Sequence, residues 1–233
     1  MRYWLNATLV AGAVALALPA IAQHEPAPVP VEKASYHWPV FKNDLAMVLR
    51  VIFPPGRGSN YHIHSTDQVS ILVEAGANSG QDFGKQPTPP RSGTKGNVGF
   101  TAYSKETYIH KSTNMGTTPF HNVVVALLYP QPGRFTAGSR GDVAGYAQVL
   151  DNERVRGWRL KLAPGQSAGP ITQKAPGMRV VIDGGEITES APGETDRGQA
   201  LRVGDFYWQD PGVTRAVRNS GSTPIEIVEI ELK

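Results

Sequence analysis

"VGFTAYSKETYIHKSTNMGTTP" spans residues 98–119, and its frame returns at 203–224 as "VGDFYWQDPGVTRAVRNSGSTP". Both stretches begin Val-Gly and end Asn-x-Gly-(Thr/Ser)-Thr-Pro, with no gap needed between the two ends. A second pair, "LRVIFPPG" (49–56) and "WRLKLAPG" (158–165), recurs in the same order ahead of each. Order and spacing that recur together mark one structural unit used twice. The junction falls in "QPGRFTAGSRGDVAG" (131–145), which is rich in Gly and Arg and poor in apolar residues.

Within each unit the apolar segments are short: "AMVLRVIF", "QVSILV", "VVVALLY", "WRLKLA", "MRVVIDG" and "IEIVEIEL". Gly, Pro, Asn and Ser separate them, and no long helical period appears. Such a chain predicts an antiparallel sandwich or barrel. The alternation in "IEIVEIELK" predicts a strand with one wet face. Each unit also carries a polar insertion, at 76–97 and at 183–199, whose composition predicts a loop, either lining a mouth or disordered.

The opening residues, "MRYWLNATLVAGAVALALPAIAQ", set one arginine before an apolar run from Leu9 to Ile21 that closes on Ala20-Ile21-Ala22. That layout predicts a signal peptide over 1–22, cleaved after Ala22, because the run falls short of the ~20 apolar residues of a membrane span. An exported protein, periplasmic or secreted, is the expectation, with no membrane span after cleavage. Residues 23–35, "QHEPAPVPVEKAS", are expected to form an extended, solvated Pro-rich arm. The 233-residue chain has no Cys, which excludes a disulfide framework and a cysteine-anchored lipoprotein. Its net charge of +3 is spread along the chain without a Lys/Arg cluster, so nucleic acid is not an expected partner.

In "YHIHSTDQ" (61–68), His62 and His64 stand two apart. On a strand their imidazoles share a face, whereas a helix would set them roughly 200° apart. The pair alone is better explained by two histidines on a wet sheet face. The first unit, however, reads Gly56-x5-His62-x-His64-x3-Gln68, then Gly99-x5-Lys105-x-Thr107-x2-His110-x3-Asn114. These stretches resemble the two signature motifs of the cupin superfamily, G-x5-HxH-x3,4-E-x6-G and G-x5-PxG-x2-H-x3-N. The resemblance extends over both units. It implies an all-β fold of two tandem jelly-roll barrels, a metal-binding N-terminal cupin at 36–131 and a C-terminal cupin at 145–233.

The resemblance also implies a metal inside the first barrel, held by His62, His64, His110 and, where the family usually has Glu, Gln68. Asp67 is the adjacent carboxylate and the alternative oxygen donor. Lys105 and Thr107 replace the family's Pro and second Gly, and the closing Gly76 comes one residue late. Three imidazoles and a weak oxygen donor suit a divalent transition metal: Fe, Mn, Ni, Cu or Zn. Three histidines leave coordination positions open for water, O₂ or a chelating substrate.

The second unit has lost this set. Ile171 and Gln173 stand at the HxH positions and Arg215 at the later histidine, while Asn219 is kept. Isoleucine cannot ligate and arginine stays protonated, so the C-terminal barrel is expected to be metal-free. It is either a scaffold or a cavity in which Arg215 and Arg179 meet an anion.

Other residues carry weaker signals. His121 reads as a strand residue, with a group supporting the site or a fourth nitrogen donor as the alternatives, His37 and Trp38 as packing, and His24 as part of a mobile end. Tyr61, Tyr103 and Tyr108 flank the histidines and line either pocket or core. The expectation is an exported metal-dependent enzyme, by family analogy a dioxygenase acting on a small oxygenated molecule. A sugar-acid isomerase or ring-opening enzyme is the other catalytic reading, and a binding or sensing protein the non-catalytic one. The partner is a small molecule, and the family resemblance adds a homodimer.

Overall fold

The computed structural model describes residues 25–130 and 132–233. The signal-peptide segment expected at 1–22 lies outside them. Ten strands form the first half: β1 Val29–Pro30, β2 His37–Lys42, β3 Ala46–Phe53, β4 His62–His64, β5 Gln68–Glu74, β6 Ala77–Asp82, β7 Arg91–Ser92, β8 Val98–Thr101, β9 Tyr108–Asn114 and β10 Phe120–Leu127. Nine form the second: β11 Tyr146–Asp151, β12 Val155–Leu162, β13 Ser167–Thr172, β14 Gly177–Asp183, β15 Gly185–Ser190, β16 Arg197–Leu201, β17 Phe206–Gln209, β18 Thr214–Asn219 and β19 Ile225–Leu232. One short 3₁₀ turn, Val31–Lys33, is the only helical element among the described residues, and none is long and apolar enough to cross a membrane.

The repeat read from the sequence is a repeat of topology. Sheet order β2-β3-β10-β5-β8 in the first half becomes β11-β12-β19-β14-β17 in the second. The facing sheets, β4-β9-β6-β7 (with β1 added at the edge) and β13-β18-β15-β16, match likewise. The shared Asn-x-Gly motif has a mechanical reason. Asn114 Nδ2 donates to Phe53 O and Thr118 O at 2.9 and 2.8 Å, and its Oδ1 accepts from Gly116 N at 3.0 Å. Asn219 repeats this with Leu162 O, Thr223 O and Gly221 N at 2.9, 2.8 and 3.0 Å. One buried carboxamide thus ties the end of one strand to the turn leading into the last strand of its barrel.

Alternation along each strand divides two cores. In β3 and β10, Leu49, Val51, Phe53 and Val124 point into the first barrel. Their neighbours Val48, Val123 and Val125 point out, against Val180, Val228 and Ile230 of the second half. The two barrels therefore share one dry core between their β10 and β19 sheets. The second barrel has its own interior around Leu160, Val181, Ile187 and Ile227.

Three expectations are corrected. The strand β19 has no wet face: all eight residues are buried. Glu229 and Glu231 enter the second barrel, where Arg140 and Arg179 neutralise them, while Val228, Ile230 and Leu232 join the shared core. The insertions at 76–97 and 183–199 are not loops throughout, because polar β6 and β15 pair with β9 and β18. The arm is not solvated along its length. Val29 and Pro30 pair in parallel with His62 and Ile63, and Val31 and Ala34 are buried.

Candidate metal centre

Strand β4 delivers His62 and His64 to one face, and β9 lies beside it in antiparallel register, His62 opposite His110. The pairing of β9 with β4 therefore brings the third imidazole to the first two. One nitrogen from each ring lies within 4.8 Å of the others, and the Nε2 atoms of His64 and His110 are 3.1 Å apart. Two nitrogens held ~2.0–2.1 Å from one ion would stand about 3 Å apart, so the spacing fits a shared metal. Among the described residues this is the one cluster of three or more His, Cys, Asp or Glu with such convergence.

The rings are aimed from behind. His62 Nδ1–H donates to Asn60 O and His64 Nδ1–H to Gln68 Oε1, both at 3.0 Å, which turns each Nε2 inward. That arrangement fixes the neutral tautomer a metal requires. Burial, reinforced by the neighbouring imidazoles, pushes His64 down to about 4 and His110 down to about 3. Burial also lowers His62, so the trio is uncharged near neutral pH.

Gln68 is brought to the site as well. Its oxygen lies 3.0 Å from His64 Nδ1, and the side chain also lines the cavity in front of the trio. Asp67 is removed from consideration as a donor: it accepts from Ser104 N at 3.0 Å and pairs with Arg154 Nη1 at 2.8 Å, in the wall between the barrels. Asp67, just ahead of β5, faces the wall between the barrels, whereas Gln68, its first residue, faces the cavity.

The cavity in front of the trio measures about 110 Å³. Phe53, Phe120, Val51 and Val124 supply its apolar floor; Tyr103 forms a wall, stacked on His64 with ring centroids 4.7 Å apart. Tyr103 also borders an outer pocket of about 450 Å³ with Tyr108, whose hydroxyl donates to Asp82. Tyr61 is buried against Phe83 outside this cavity.

One histidine moves from its expected place, and another keeps to the strand reading. His37 lines the metal cavity, its ring centroid 4.6 Å from that of His62, while Trp38 is 46% exposed. The sequence offered no spacing signal for His37, which reaches the cavity from β2 on the other sheet. His121 points the other way, into the inter-barrel contact. A Cβ at Gly204 would stand 2.4 Å from its Cε1, which explains why a glycine faces it.

At the position that matches the histidine trio, the second barrel is filled. Its interior holds Arg140 and Arg179 against Glu229, with Glu231 and Glu189 completing the network; Arg140–Glu231 is 2.7 Å and Arg179–Glu229 is 2.9 Å. A void of only about 10 Å³ remains. Arg179 is paired with Glu229 and Glu189, so the interior is a plug of paired charges, while Arg215, 3.9 Å from Glu189, borders a separate pocket of about 510 Å³ with Glu194 and Arg197.

No protein family matches the sequence, and no curated protein is similar enough to match it. Solved structures do match. AerE from Microcystis aeruginosa superposes with a TM-score of 0.60 at 13% identity, over 86% of this chain and 98% of that one. Salicylate 1,2-dioxygenase from Pseudoaminobacter salicylatoxidans, as its adduct with gentisate, gives 0.54 at 12% identity over 82% and 70%. A cupin 2 conserved barrel domain protein from Leptotrichia buccalis gives 0.51 at 8% identity over 84% and 88%. At such identities the likeness shows the fold, and the fold is that of tandem cupin barrels.

Proposed function

We propose that the protein is an exported metal-dependent oxidoreductase of the dioxygenase type, acting on a small oxygenated molecule at a divalent metal in the first barrel. The observation that carries this reading is the inward convergence of three neutral imidazoles, two of them held from behind, onto a cavity with space beside them. His62, His64 and His110 would hold the ion. A divalent metal bound by three histidines supplies Lewis acidity and open positions at which oxygen donors are polarised. The chain does the rest. Gln68 and the Asn60 carbonyl keep the ligating rings in one tautomer, and the apolar floor excludes bulk water. The similarity of fold to a structure holding gentisate supports a small oxygenated substrate.

One observation favours a non-catalytic binding or sensing role: no carboxylate lines the cavity. Oxygen uptake decides between the two. Protein loaded in turn with Fe(II), Mn(II), Ni(II) and Cu(II) is offered a panel of catechols, hydroxybenzoates and enolic diketones. Turnover abolished in a His62→Ala/His110→Ala variant is the expected result. Metal-loaded protein that binds panel members and consumes no oxygen would point to the binding role.

A further inference from the structure

We infer that His37, Asn78 and Asn122 form a hydrogen-bonding subsite beside the three histidines, which takes a neutral hydroxyl of a ligand whose other oxygens bind the metal. The inference rests on the metal reading and adds the chemistry of what completes it. The three residues come from β2, β6 and β10 and line the same small cavity as the trio.

His37 is aimed in the same manner as His62. Its Nδ1 bonds to the carbonyl of Ser35 at 3.0 Å, two residues back, as His62 Nδ1 bonds to that of Asn60. The outward proton is thereby assigned, and Nε2 keeps a lone pair that can accept a hydrogen bond. His37 stands beside the convergent group of nitrogens rather than within it. The residue before it, Tyr36, has φ of 62°, a left-handed conformation that an aromatic residue rarely adopts. The chain thus holds a strained turn where it delivers this imidazole to the cavity, a feature that concentrates at functional sites.

Asn78 and Asn122 each keep a buried side-chain oxygen without a hydrogen-bond partner. Such orphans are rare and call for an explanation. The contrast with Asn114 is informative, because there both ends of the amide are bonded to the turn it secures. Asn122 alternates with Phe120 and Val124 on the cavity side of β10, where an apolar residue would pack as well. An amide presents a donor and an acceptor, so the pair can meet a hydroxyl in either sense.

The group recognised is neutral because no Lys or Arg lines the cavity. A carboxylate placed there, away from the metal, would lose its hydration without a counter-ion. The inner cavity, about 110 Å³, is far below the roughly 300–1,000 Å³ of ordinary ligand pockets. The ligand therefore inserts a compact oxygenated end, and any larger part passes Tyr103 into the outer pocket.

The test uses Co(II)-loaded protein under anaerobic conditions, with binding followed through the visible Co(II) bands. Catechol, pyrogallol and 2,3-dihydroxybenzoate share two vicinal oxygens and differ in the third group. Pyrogallol is expected to bind tighter than catechol by about 2- to 13-fold, the range one net hydrogen bond provides. The benzoate should gain nothing over catechol. In the separate variants Asn78→Val, Asn122→Val and His37→Leu, Co(II) content should stay at the wild-type level while the advantage of pyrogallol shrinks in at least one. Equal binding of catechol and pyrogallol by wild-type protein would overturn the inference without any variant, as would an advantage kept in all three or tightest binding of the benzoate. Wild-type protein that takes up no Co(II) would instead sink the metal reading, and this subsite with it.

Discussion

At His64 the two ring nitrogens have different tasks: Nε2 faces His110 across 3.1 Å, and Nδ1 is held by Gln68. Removing that hold in Gln68→Ala should weaken metal binding by about 10- to 100-fold, as loss of a partner behind a ligand typically does. Competition with a chromophoric zinc chelator measures it, and unchanged affinity would remove Gln68 from the site. The buried imidazoles also set an acid limit on the metal-free protein. Their unfolded value is 6.5, and the folded values are about 4 for His64 and about 3 for His110. Above pH 6.5 these groups are neutral in both states. As pH falls below it, the unfolded chain takes up protons that the folded trio refuses, so stability declines until about pH 3. Urea midpoints of the metal-free protein between pH 7.5 and 4 should fall accordingly, and a rise in the midpoint attributable to these histidines would contradict their burial. The spacing in the sequence was enough to name His62, His64 and His110. It could not reveal His37, whose position depends on how one sheet closes over the other, nor tell a Gln68 that ligates from one that orients.

At the scale of single elements, each barrel is fastened by one asparagine. Asn114→Ala removes two donated bonds and leaves buried carbonyls unpaired, which should cost about 2–4 kcal/mol. Asn219→Ala should cost about the same, since its bonds match in partner type and length. The two differ in consequence: Asn114 ends the strand that carries His110, whereas Asn219 ends the matching strand of the second barrel. Chemical denaturation should show similar losses, and metal titration a weaker site only in Asn114→Ala. Both motifs were legible as a repeat because turns reuse the same Asn and Gly chemistry. The polar strands β6 and β15 were not legible, because strands so poor in apolar residues owe their form to pairing with β9 and β18 rather than to their own side chains. The acidic residues of β19 misled for a related reason: alternation of Ile and Glu describes a wet face unless arginines wait on the other side.

Over the whole molecule, the second barrel contributes a shared core and a charge. Ile230 is 1% exposed between the barrels. Ile230→Ala should therefore cost about 2–5 kcal/mol and leave one cooperative unfolding transition, now at lower denaturant, for probes in either barrel. Arg154 of the second half pairs with buried Asp67, the neighbour of Gln68. Arg154→Met should cost about 3–5 kcal/mol, because it strands the carboxylate, and an Asp67→Asn partner change should recover part of the loss. Two tandem barrels were legible from repeated order and spacing, whereas the dry core between them was not, since a strand buried on both faces and one buried on a single face share much of their composition. The most direct test of the metal centre is the metal content of protein purified without added metal or a metal-binding tag, measured beside His62→Ala/His110→Ala. One divalent transition ion per chain, lost in the double variant while the fold is kept, is the expected result. A well-folded wild-type protein that carries no metal and takes up none of Fe, Mn, Ni, Cu or Zn would contradict the account.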